Sequence, residues 1–595
     1  MSSINSPENL ETYSLLWLDN YANSSSDNRR AQQQLQKLIP HLLTFEDDYQ
    51  CFQYLTNLSI NDRIILIASG RFGRMLVPRI VQFRQITSIY IYCMDKRANE
   101  QWSKQYSKVN KVVTRLNELI HSIEHDYNQQ YSSQINECLS MNIFNTTKSS
   151  SDEFLRFQLL IDGLIRLKSC ELTDRSELIS FCKQYYQSNP SELMMIKEFQ
   201  CNYQSSNALD WLIRPTFLSR LLTKAFRNEN LDLLYKFRFF LRHLAFQLGQ
   251  SSPSTSICVY RSQLLTKEEI HLVKSSIGKI ISLNTFVRAN YDENQCRSWL
   301  NSKNDLEKVL WVIRIDSKLR CIRPYGNIQS KIREILFMIG SIFSLDEIFI
   351  DNEQIWTIKL TLRSLEHVPQ LKSELSFSEL NLFQFGQLLY RLGKYEQCQK
   401  YYCHYLNQLP DNHPDLSSCY QHLGLLAEIK KQFPHSLKWF RKALKTCQTN
   451  QHAPIHNSIA NVYSKMNEYT RAIKSYEKAM TYFETDDNNN HHHHHQSIIT
   501  CWNNIGAMHD MKKDYNQALE CYNKALTISN KNQDSETIFI WRNIGNTYEL
   551  AKDYKQAAKS YENALKLIDK SSSSSVDEIY IKDIQTSLRR VSLKV

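Results

Sequence analysis

Residues 10–145 alternate between short apolar runs and amphipathic stretches. Continuous, β-branched runs such as Arg63–Ala68 and Ser88–Cys93 are typical of strands buried on both faces. Between such runs, over 30–43 and 72–83, apolar residues recur every three or four positions, which is the period of a helix. Strands alternating with helices predict a doubly wound α/β domain over residues 10–145, with a parallel sheet of the flavodoxin-like or receiver-like kind.

Two features at the predicted strand ends are candidates for binding. The segment Ser69–Gly73 follows a strand and opens a helix, so its main-chain N–H groups could hold an anion, although it lacks the Walker and dinucleotide spacings. Asp19 and Asp95 each end a strand, where receiver-type domains keep acids and where ordinary helix caps also occur. A plain strand-to-helix turn and ordinary helix caps are the favoured explanations of these residues, and the sequence names no ligand for this domain.

The pattern changes twice in the middle of the chain. After a polar linker that begins at Thr146, residues 153–250 carry apolar positions at helical spacing and predict a helical subdomain. Residues 251–368 then read as strand-rich, with a clean alternation of apolar and polar positions over 355–362. We therefore expect a mixed α/β domain after the helical subdomain.

From Leu380 onward a long-period repeat appears. Each unit has a small residue, then an aromatic at a turn, then an aromatic–small pair such as Tyr476 and Ala479. This pattern resembles the tetratricopeptide repeat, a helix–turn–helix unit of about 34 residues whose helices touch at the small residue. It predicts an α-solenoid of about five units over 378–570, followed by a C-terminal tail at 571–595. The small residues are Gly386, Gly424, Ala460, Gly506 and Gly545.

Composition narrows the function classes. The net charge of +11 is spread along the chain, which favours a solvated basic surface over a nucleic-acid site. Fifteen cysteines without a paired CxxC spacing indicate reduced thiols. The N-terminus lacks a signal-peptide pattern, and no run of about 18 apolar residues occurs. We expect a cytoplasmic protein with no membrane or nucleic-acid partner, and no functional metal site in the low-complexity loop that holds His491–His495.

Three motifs between residues 205 and 365 point to a second resemblance. They are Val259–Gln263 with the acidic helix start that follows it, Ser282–Val287, and Glu334–Phe343 with the closing strand Trp356–Leu362. In this order they resemble the arginine-type mono-ADP-ribosyltransferases of the R-S-E class, which split NAD and move ADP-ribose to a protein side chain. The chain is thus predicted to be multidomain: a doubly wound α/β domain, a transferase-like mixed α/β domain and an all-α solenoid.

The resemblance implies roles for three residues. Arg261 would pair with the NAD phosphates, a task suited to a fork of charged donors. Glu334 would be the catalytic residue, since it would hold the nicotinamide ribose and stabilise the oxocarbenium-like state. Arg288 stands in the cofactor-binding Ser-Thr-Ser segment of the family, where it would either fill the serine site or pair with Glu334 and block it. We expect Arg261 and Glu334 to face one cleft.

The motifs depart from the family at two places. The sequence has Arg288-Ala289-Asn290 in place of Ser-Thr-Ser, and Ile332 in place of the first Glu of Glu-x-Glu. The first Glu would act on the acceptor guanidinium, so its loss should affect arginine transfer more than NAD cleavage.

Two functions remain open from the sequence. One is an NAD(P)-dependent protein-arginine ADP-ribosyltransferase, a glycosyltransferase that uses NAD as substrate and no metal, or an NAD glycohydrolase if transfer is lost; its repeats would recruit the target protein. The other is a catalytically degenerate transferase fold that serves as a scaffold, with function in the repeats. A solenoid presents a concave groove for a protein segment, so a protein partner is expected in both cases.

Overall fold

The chain forms two compact units, Met1–Leu392 and Gly393–Val595. The structure is a computed structural model. It describes residues 9–59, 62–133, 139–144, 148–168, 170–300, 306–328, 333–368, 371, 379–447, 451–485, 491–532, 536–570 and 578–594.

The first unit begins with a five-stranded parallel sheet of order β2-β1-β3-β4-β5. Its strands are β1 (Tyr13–Leu18), β2 (His41–Phe45), β3 (Arg63–Ser69), β4 (Ile86–Tyr92) and β5 (Val109–Val113). Its helices are α1 (Ser26–Gln36), α2 (Asp48–Thr56), α3 (Gly70–Ile80), α4 (Lys96–Ser103) and α5 (Leu116–Ser133).

Helices cover both faces of this sheet, and each face has its own apolar core. Alternate residues of β1 divide between the two cores: Leu16 packs with α2 and α3, whereas Leu15 and Trp17 pack with α1 and α5. Strands buried on both faces read as unbroken apolar runs, which is the pattern that β3 and β4 show. The doubly wound α/β interpretation of this region is therefore confirmed.

Seven described helices follow, and α10 contacts the N-terminal sheet domain through buried charged groups. Arg220 of α10 lies 2.7 Å from the carboxylates of both Glu11 and Glu192, and Lys224 pairs with Asp62. The pairs with Glu11 and Asp62 connect the helical layer to the segments before β1 and β3. The helices are α6 (Lys148–Arg166), α7 (Glu171–Tyr185), α8 (Pro190–Asn202), α9 (Ala208–Ile213), α10 (Phe217–Arg227), α11 (Leu231–Lys236) and α12 (Arg238–Gln250).

A nine-stranded mixed sheet of order β11-β12-β9-β7-β10-β14-β13-β8-β6 completes the first unit. Among the described strands, β10 and β14 pair in parallel and the other neighbours pair antiparallel. The strands are β6 (Met141–Phe144), β7 (Ile257–Leu265), β8 (Ile280–Leu283), β9 (Val287–Asn290), β10 (Glu307–Ile315), β11 (Tyr325–Asn327), β12 (Glu334–Phe337), β13 (Ile342–Ile350) and β14 (Trp356–Leu362). The helices α13 (Lys267–Lys274) and α14 (Glu293–Trp299) connect them.

Two elements belong to a different domain from the one predicted from the sequence. Strand β6 falls within the stretch 10–145, yet it pairs with β8 in the nine-stranded sheet. Helix α15 (Leu382–Arg391) belongs to the first unit, where Leu380 exchanges main-chain hydrogen bonds with Arg166 and Lys168. The second unit begins at Gly393, whose positive φ of 72° suits a glycine just beyond a helix end.

The second unit is all-helical. Its helices are α16 (Tyr395–Leu406), α17 (Asp415–Ile429), α18 (Phe433–Thr446), α19 (His452–Lys465), α20 (Tyr469–Thr485), α21 (His491–Met511), α22 (Tyr515–Asn532), α23 (Thr537–Leu550), α24 (Tyr554–Lys570) and α25 (Glu578–Ser592).

Two parts of this unit differ in detail from expectation. The backbone of His491–His495 forms the start of α21, so the expected loop is helical there. The tail at 571–595 contains α25, whose Ile584 and Val591 are buried against Tyr561 and Ala564 of α24. An apolar face on the last helix covers the end of the core, as terminal units of helical arrays require.

Candidate functional site: the inner face of the helical repeats

The first residue of the predicted transferase site, Arg261, lies on the core face of the nine-stranded sheet. It sits on β7 opposite Trp311 of β10, and the cavity that it lines also includes Val287 and Leu360. The free volume of this cavity is ≈ 10 Å³, which is room for about one water. A dinucleotide does not fit in this space.

Glu334 lies on the opposite face of the same sheet. On β12 it stands opposite Asn290 of β9, and Asn290 in turn stands opposite Tyr260 of β7. Side chains in one row across a sheet share a face, and neighbours along a strand alternate, so Arg261 points away from the face of Glu334. Burial raises the pKa of Cys296 in α14 to about 11, and the nearby Glu334 carboxylate adds to the rise. The expectation that Arg261 and Glu334 face one cleft is therefore wrong.

Arg288 shares the face of Glu334 but is engaged elsewhere. It stands opposite Leu336 of β12 and donates a hydrogen bond to the carbonyl oxygen of Ile213, at 3.3 Å. Within the part of the chain that the structure describes, Arg288 and Glu334 form no ion pair. Ile332 lies outside the described residues. The structure thus brings Arg288 and Glu334 to one face and leaves Arg261 on the other.

Within the second unit, a glycine sets how closely the two helices of a repeat approach. A Cβ atom added to Gly506 of α21 would lie 2.7 Å from the ring of Tyr522 in α22. Gly545 has the same relation to Tyr561, and Gly424 to the ring of Phe440, also at 2.7 Å. Real Cβ atoms do not approach a ring this closely, so these positions need glycine for the observed spacing. These three glycines therefore stand where the repeat pattern predicts that the helices touch.

In three repeats, a tyrosine of the second helix (α20, α22 or α24) donates a hydrogen bond to a polar residue of the first helix (α19, α21 or α23). The Tyr522 hydroxyl donates to Asp510 Oδ2 at 2.9 Å, and the Tyr561 hydroxyl donates to Asn546 Oδ1 at 2.6 Å. The hydroxyl of Tyr476 donates in the same way to Asn461 of α19. Buried tyrosines need a hydrogen-bond partner, and here that partner fixes one side chain on the first helix of each of these repeats.

Polar groups also join the first helices of neighbouring repeats. The first helices α21 and α23 contact each other, as do α17 and α19. Asn543 Nδ2 of α23 donates to Asn503 Oδ1 of α21 at 2.9 Å, and Thr547 Oγ1 donates to Asp510 Oδ2 at 2.7 Å. First helices that touch across repeats lie on the inner side of a solenoid, so these amides lie in its inner layer. We call the side of α17, α19, α21 and α23 that lies in this inner layer the inner face.

Charged groups at the ends of the first helices are already paired. Glu428 of α17 lies 2.7 Å from Lys465, and Glu549 of α23 forms two hydrogen bonds, of 2.8 and 2.9 Å, with Arg590 of α25. Arg542 of α23 pairs with an aspartate of α25. The polar side chains of the first helices that can bind a partner are therefore mainly amides and imidazoles.

Burial shifts the pKa values of three titratable groups in this layer in the direction that favours their neutral forms. It lowers the pKa of His422 and of His456, so both imidazoles carry less charge at neutral pH than free histidine does. Burial also raises the pKa of Asp510, against the opposing effect of the Thr547 and Tyr522 hydroxyls. An inner face of amides and neutral rings suits hydrogen bonding to another main chain better than attraction of a charged ligand.

Asparagines at fixed positions relative to the small residues could have predicted this face from the sequence, in addition to the repeat spacing. Asn457 and Asn503 stand three positions before the small residue of their repeats, and Asn461 and Asn546 stand one position after it. Side chains at these offsets share one side of a helix. Aligning the units on their small residues would have shown the asparagines.

Comparison with known proteins supports the repeat interpretation. A family model described as "Tetratricopeptide repeat" matches residues 451–531 and 497–570. Residues 451–570 are tetratricopeptide repeats. No curated protein matches the chain. Nothing in these comparisons supports the resemblance to ADP-ribosyltransferases.

Solved structures with similarity to this chain include three that cover about a third of it. BtubC from P. vanneervenii has 20% identity and a TM-score of 0.29, over 36% of this chain and 91% of that one. The apo form of RapI has 19% identity and a TM-score of 0.31, over 38% and 64% of the two chains. MamA has 18% identity and a TM-score of 0.25, over 31% and 95%. None of the described helices is both long and apolar enough to cross a membrane.

Proposed function

We propose that the tetratricopeptide repeats bind a protein partner and hold an extended segment of it along the inner face. The observation that carries the proposal is the amide pair Asn503–Asn543, which spans two neighbouring first helices at 2.9 Å. Each amide offers a donor and an acceptor, the same pair of groups that a peptide main chain presents. Amides placed at regular intervals along a groove can therefore bind a main chain whatever its side chains are.

Paired charges support the same choice of ligand. Glu428, Arg542 and Glu549 each have an oppositely charged partner within the second unit. A partner recognised by charge would have to break these pairs, whereas a main chain would not.

NAD-dependent transfer, or NAD hydrolysis, remains a prediction from the motifs. The opposed orientations of Arg261 and Glu334 and the small cavity beside Arg261 count against it. Its test is nicotinamide release from NAD by the full chain, compared with Glu334→Gln. Release that depends on Glu334 would establish the activity, and release by neither protein would leave the repeats as the functional part.

The experiment for the proposed function starts with a peptide library displayed to the immobilised full chain. Selected peptides are then measured by calorimetry against the wild type and the double variant Asn503→Ala/Asn543→Ala. We expect the double variant to bind at least about tenfold more weakly, because two main-chain hydrogen bonds are lost. The matched control is Asn523→Ala, an exposed asparagine on the second helix α22, which should bind as the wild type does.

Folding of the variants is checked by circular dichroism. If the double variant is poorly folded, the single variant Asn457→Ala in α19 gives a second reading of the same face. Peptides that bind the wild type and the asparagine variants equally, or that lose affinity only with Asn523→Ala, would overturn the proposal.

A further inference from the structure

The N-terminal sheet carries a cavity of ≈ 690 Å³ at the carboxyl ends of β1, β3 and β4. Its walls include Asp19 after β1, Ser69–Arg71 after β3, and Tyr92–Asp95 after β4. The strand order β2-β1-β3-β4-β5 reverses between β1 and β3, because the chain leaves β1 toward one edge and returns to continue toward the other. A crevice at such a reversal is where open α/β sheets bind ligands.

Two arginines give the cavity a positive wall. Arg71 and Arg74 both line it, and both are exposed. Arg74 Nη2 donates to the carbonyl oxygen of Ala98 at 3.2 Å, and neither arginine forms an ion pair within the described residues. Within the described residues, both guanidinium groups thus lie beyond ion-pair distance of any carboxylate, including those of Asp19 and Asp95.

Two carboxylates also line this cavity, and each accepts a main-chain hydrogen bond through one oxygen. Asp19 Oδ1 accepts from the N–H of Tyr21 at 2.7 Å, and Asp95 Oδ1 accepts from the N–H of Ala98 at 3.1 Å, where it caps α4. No acidic residue lies in the first turn of α3, where Arg71 stands. Cations near a helix N-terminus are unfavourable, and an anion bound between them would relieve this repulsion.

Three large, exposed apolar side chains also line the cavity. Tyr21 is 69% exposed, Met75 49% and Met94 94%, and all three line this cavity. Clusters of large, exposed apolar side chains are typical of binding surfaces. A tyrosine ring and two thioethers pack well against a flat aromatic group.

We propose that this cavity binds a nucleoside monophosphate. The phosphate lies between Arg71 and Arg74, whose guanidinium groups match its oxygens. The base packs against Tyr21, Met75 and Met94. Pockets of this volume bind small ligands of nucleotide size.

The test is calorimetry on the full chain with AMP, GMP, CMP and UMP, and with the four corresponding nucleosides and inorganic phosphate as partial probes. We expect at least one monophosphate to bind, and its nucleoside and inorganic phosphate each to bind at least about tenfold more weakly. Arg71→Ala/Arg74→Ala should weaken the nucleotide by about a hundredfold, since two charge-assisted contacts are lost. Arg30→Ala, an exposed arginine of α1 outside the cavity, should leave the affinity unchanged.

A second variant separates the two halves of the site. Tyr21→Ala/Met94→Ala removes exposed side chains, so it should fold normally; it should weaken the nucleotide and leave inorganic phosphate unaffected. No binding of any monophosphate would overturn the proposal. So would equal affinity in the arginine double variant, or inorganic phosphate that binds as tightly as the nucleotide.

Discussion

At the residue scale, one glycine and one tyrosine in a repeat determine both its packing and its polar contacts. Gly506 leaves the space that the Tyr522 ring fills, and the Tyr522 hydroxyl then reaches Asp510. Asp510 also accepts from Thr547 of the next first helix. The packing of two helices in one repeat is thus linked to the contact between two repeats through a single carboxylate.

Gly506→Ala should lower the free energy of unfolding of the second unit. The Tyr522 ring is 1% exposed, so it has no free space into which to move. Overpacking of this kind costs about 1–3 kcal/mol. Urea unfolding followed by far-ultraviolet circular dichroism measures the change.

The control for this substitution is Gly249→Ala in α12, where an added Cβ meets nothing within 4 Å. It should leave the first unit unchanged or slightly more stable, because alanine favours a helix. A Gly506→Ala protein as stable as the wild type would show that the ring contact does not set the helix spacing.

Asp510→Asn should make the second unit more stable at neutral pH. Burial raises the pKa of Asp510 above its ordinary 3.8, so the folded state holds the proton more tightly than the unfolded state does. The carboxyl is therefore fully compatible with folding below pH 3.8, and it destabilises the fold as the pH rises through the folded-state pKa. Asparagine keeps an oxygen for the two hydroxyls and carries no charge.

Unfolding free energies at pH 4 and pH 7 measure this effect for Asp510→Asn. The variant should gain stability over the wild type at pH 7 and gain less at pH 4. Asp411→Asn, an exposed position in the same unit, serves as the control and should change stability little at either pH. The same gain at both pH values would contradict the assignment.

At the scale of elements, buried ion pairs hold the first unit together across its layers. Arg220 of α10 is 3% exposed and contacts both Glu11, before β1, and Glu192 in α8. Burial raises the pKa of Glu192, while the Arg220 charge opposes the rise. The arginine therefore compensates for two carboxylates that are costly to bury alone.

Arg220→Met should destabilise the first unit by about 3–5 kcal/mol, because it leaves two buried carboxylates without a cation. The loss should be smaller in acid, where the carboxylates are protonated. Chemical unfolding of the full chain measures both effects in the transition of the first unit.

The matched control is Lys96→Met, which removes an exposed pair with Glu100 at 3.9 Å. A surface pair of this kind contributes about 0–1 kcal/mol. If Arg220→Met were as mild as Lys96→Met, the ion pairs would not be what joins the helical layer to the sheet domain.

At the scale of the whole molecule, the periodicity of the sequence predicted which helices and strands form, but not which elements they pair with. The apolar runs of β3 and β4 and the small residues of the repeats are local patterns, and the elements they predict are present. The membership of β6 and α15 was missed, because it depends on partners far along the chain: β8 for β6 and Arg166–Lys168 for the segment before α15.

The predicted transferase site shows more clearly that sequence patterns do not determine strand pairing. Motifs in the right order predicted that Arg261 and Glu334 share a cleft, yet a strand turns each successive side chain to the other face. A difference of one residue in register therefore decides whether two side chains meet. Tyr260, next to Arg261, is the residue that stands in the row of Glu334. The pairing register of three strands cannot be predicted from the sequence of any one of them.

Residues 393–595 should fold without the rest of the chain, because each of their repeats buries its apolar face against its neighbours. A protein of these residues should show a helical circular dichroism spectrum and a cooperative thermal transition. Removal of α25 should expose the apolar side of α24 and lower the midpoint of that transition. Equal midpoints with and without α25 would show that the last helix does not cap the array.

The central claim is that the inner face of the repeats holds a protein segment. Hydrogen–deuterium exchange of the full chain, with and without a peptide selected on it, tests this most directly. The account predicts slower exchange on peptide binding in α19, α21 and α23, with little change in the second helices α20 and α22. Protection confined to the second helices, or to residues 257–337, would contradict it.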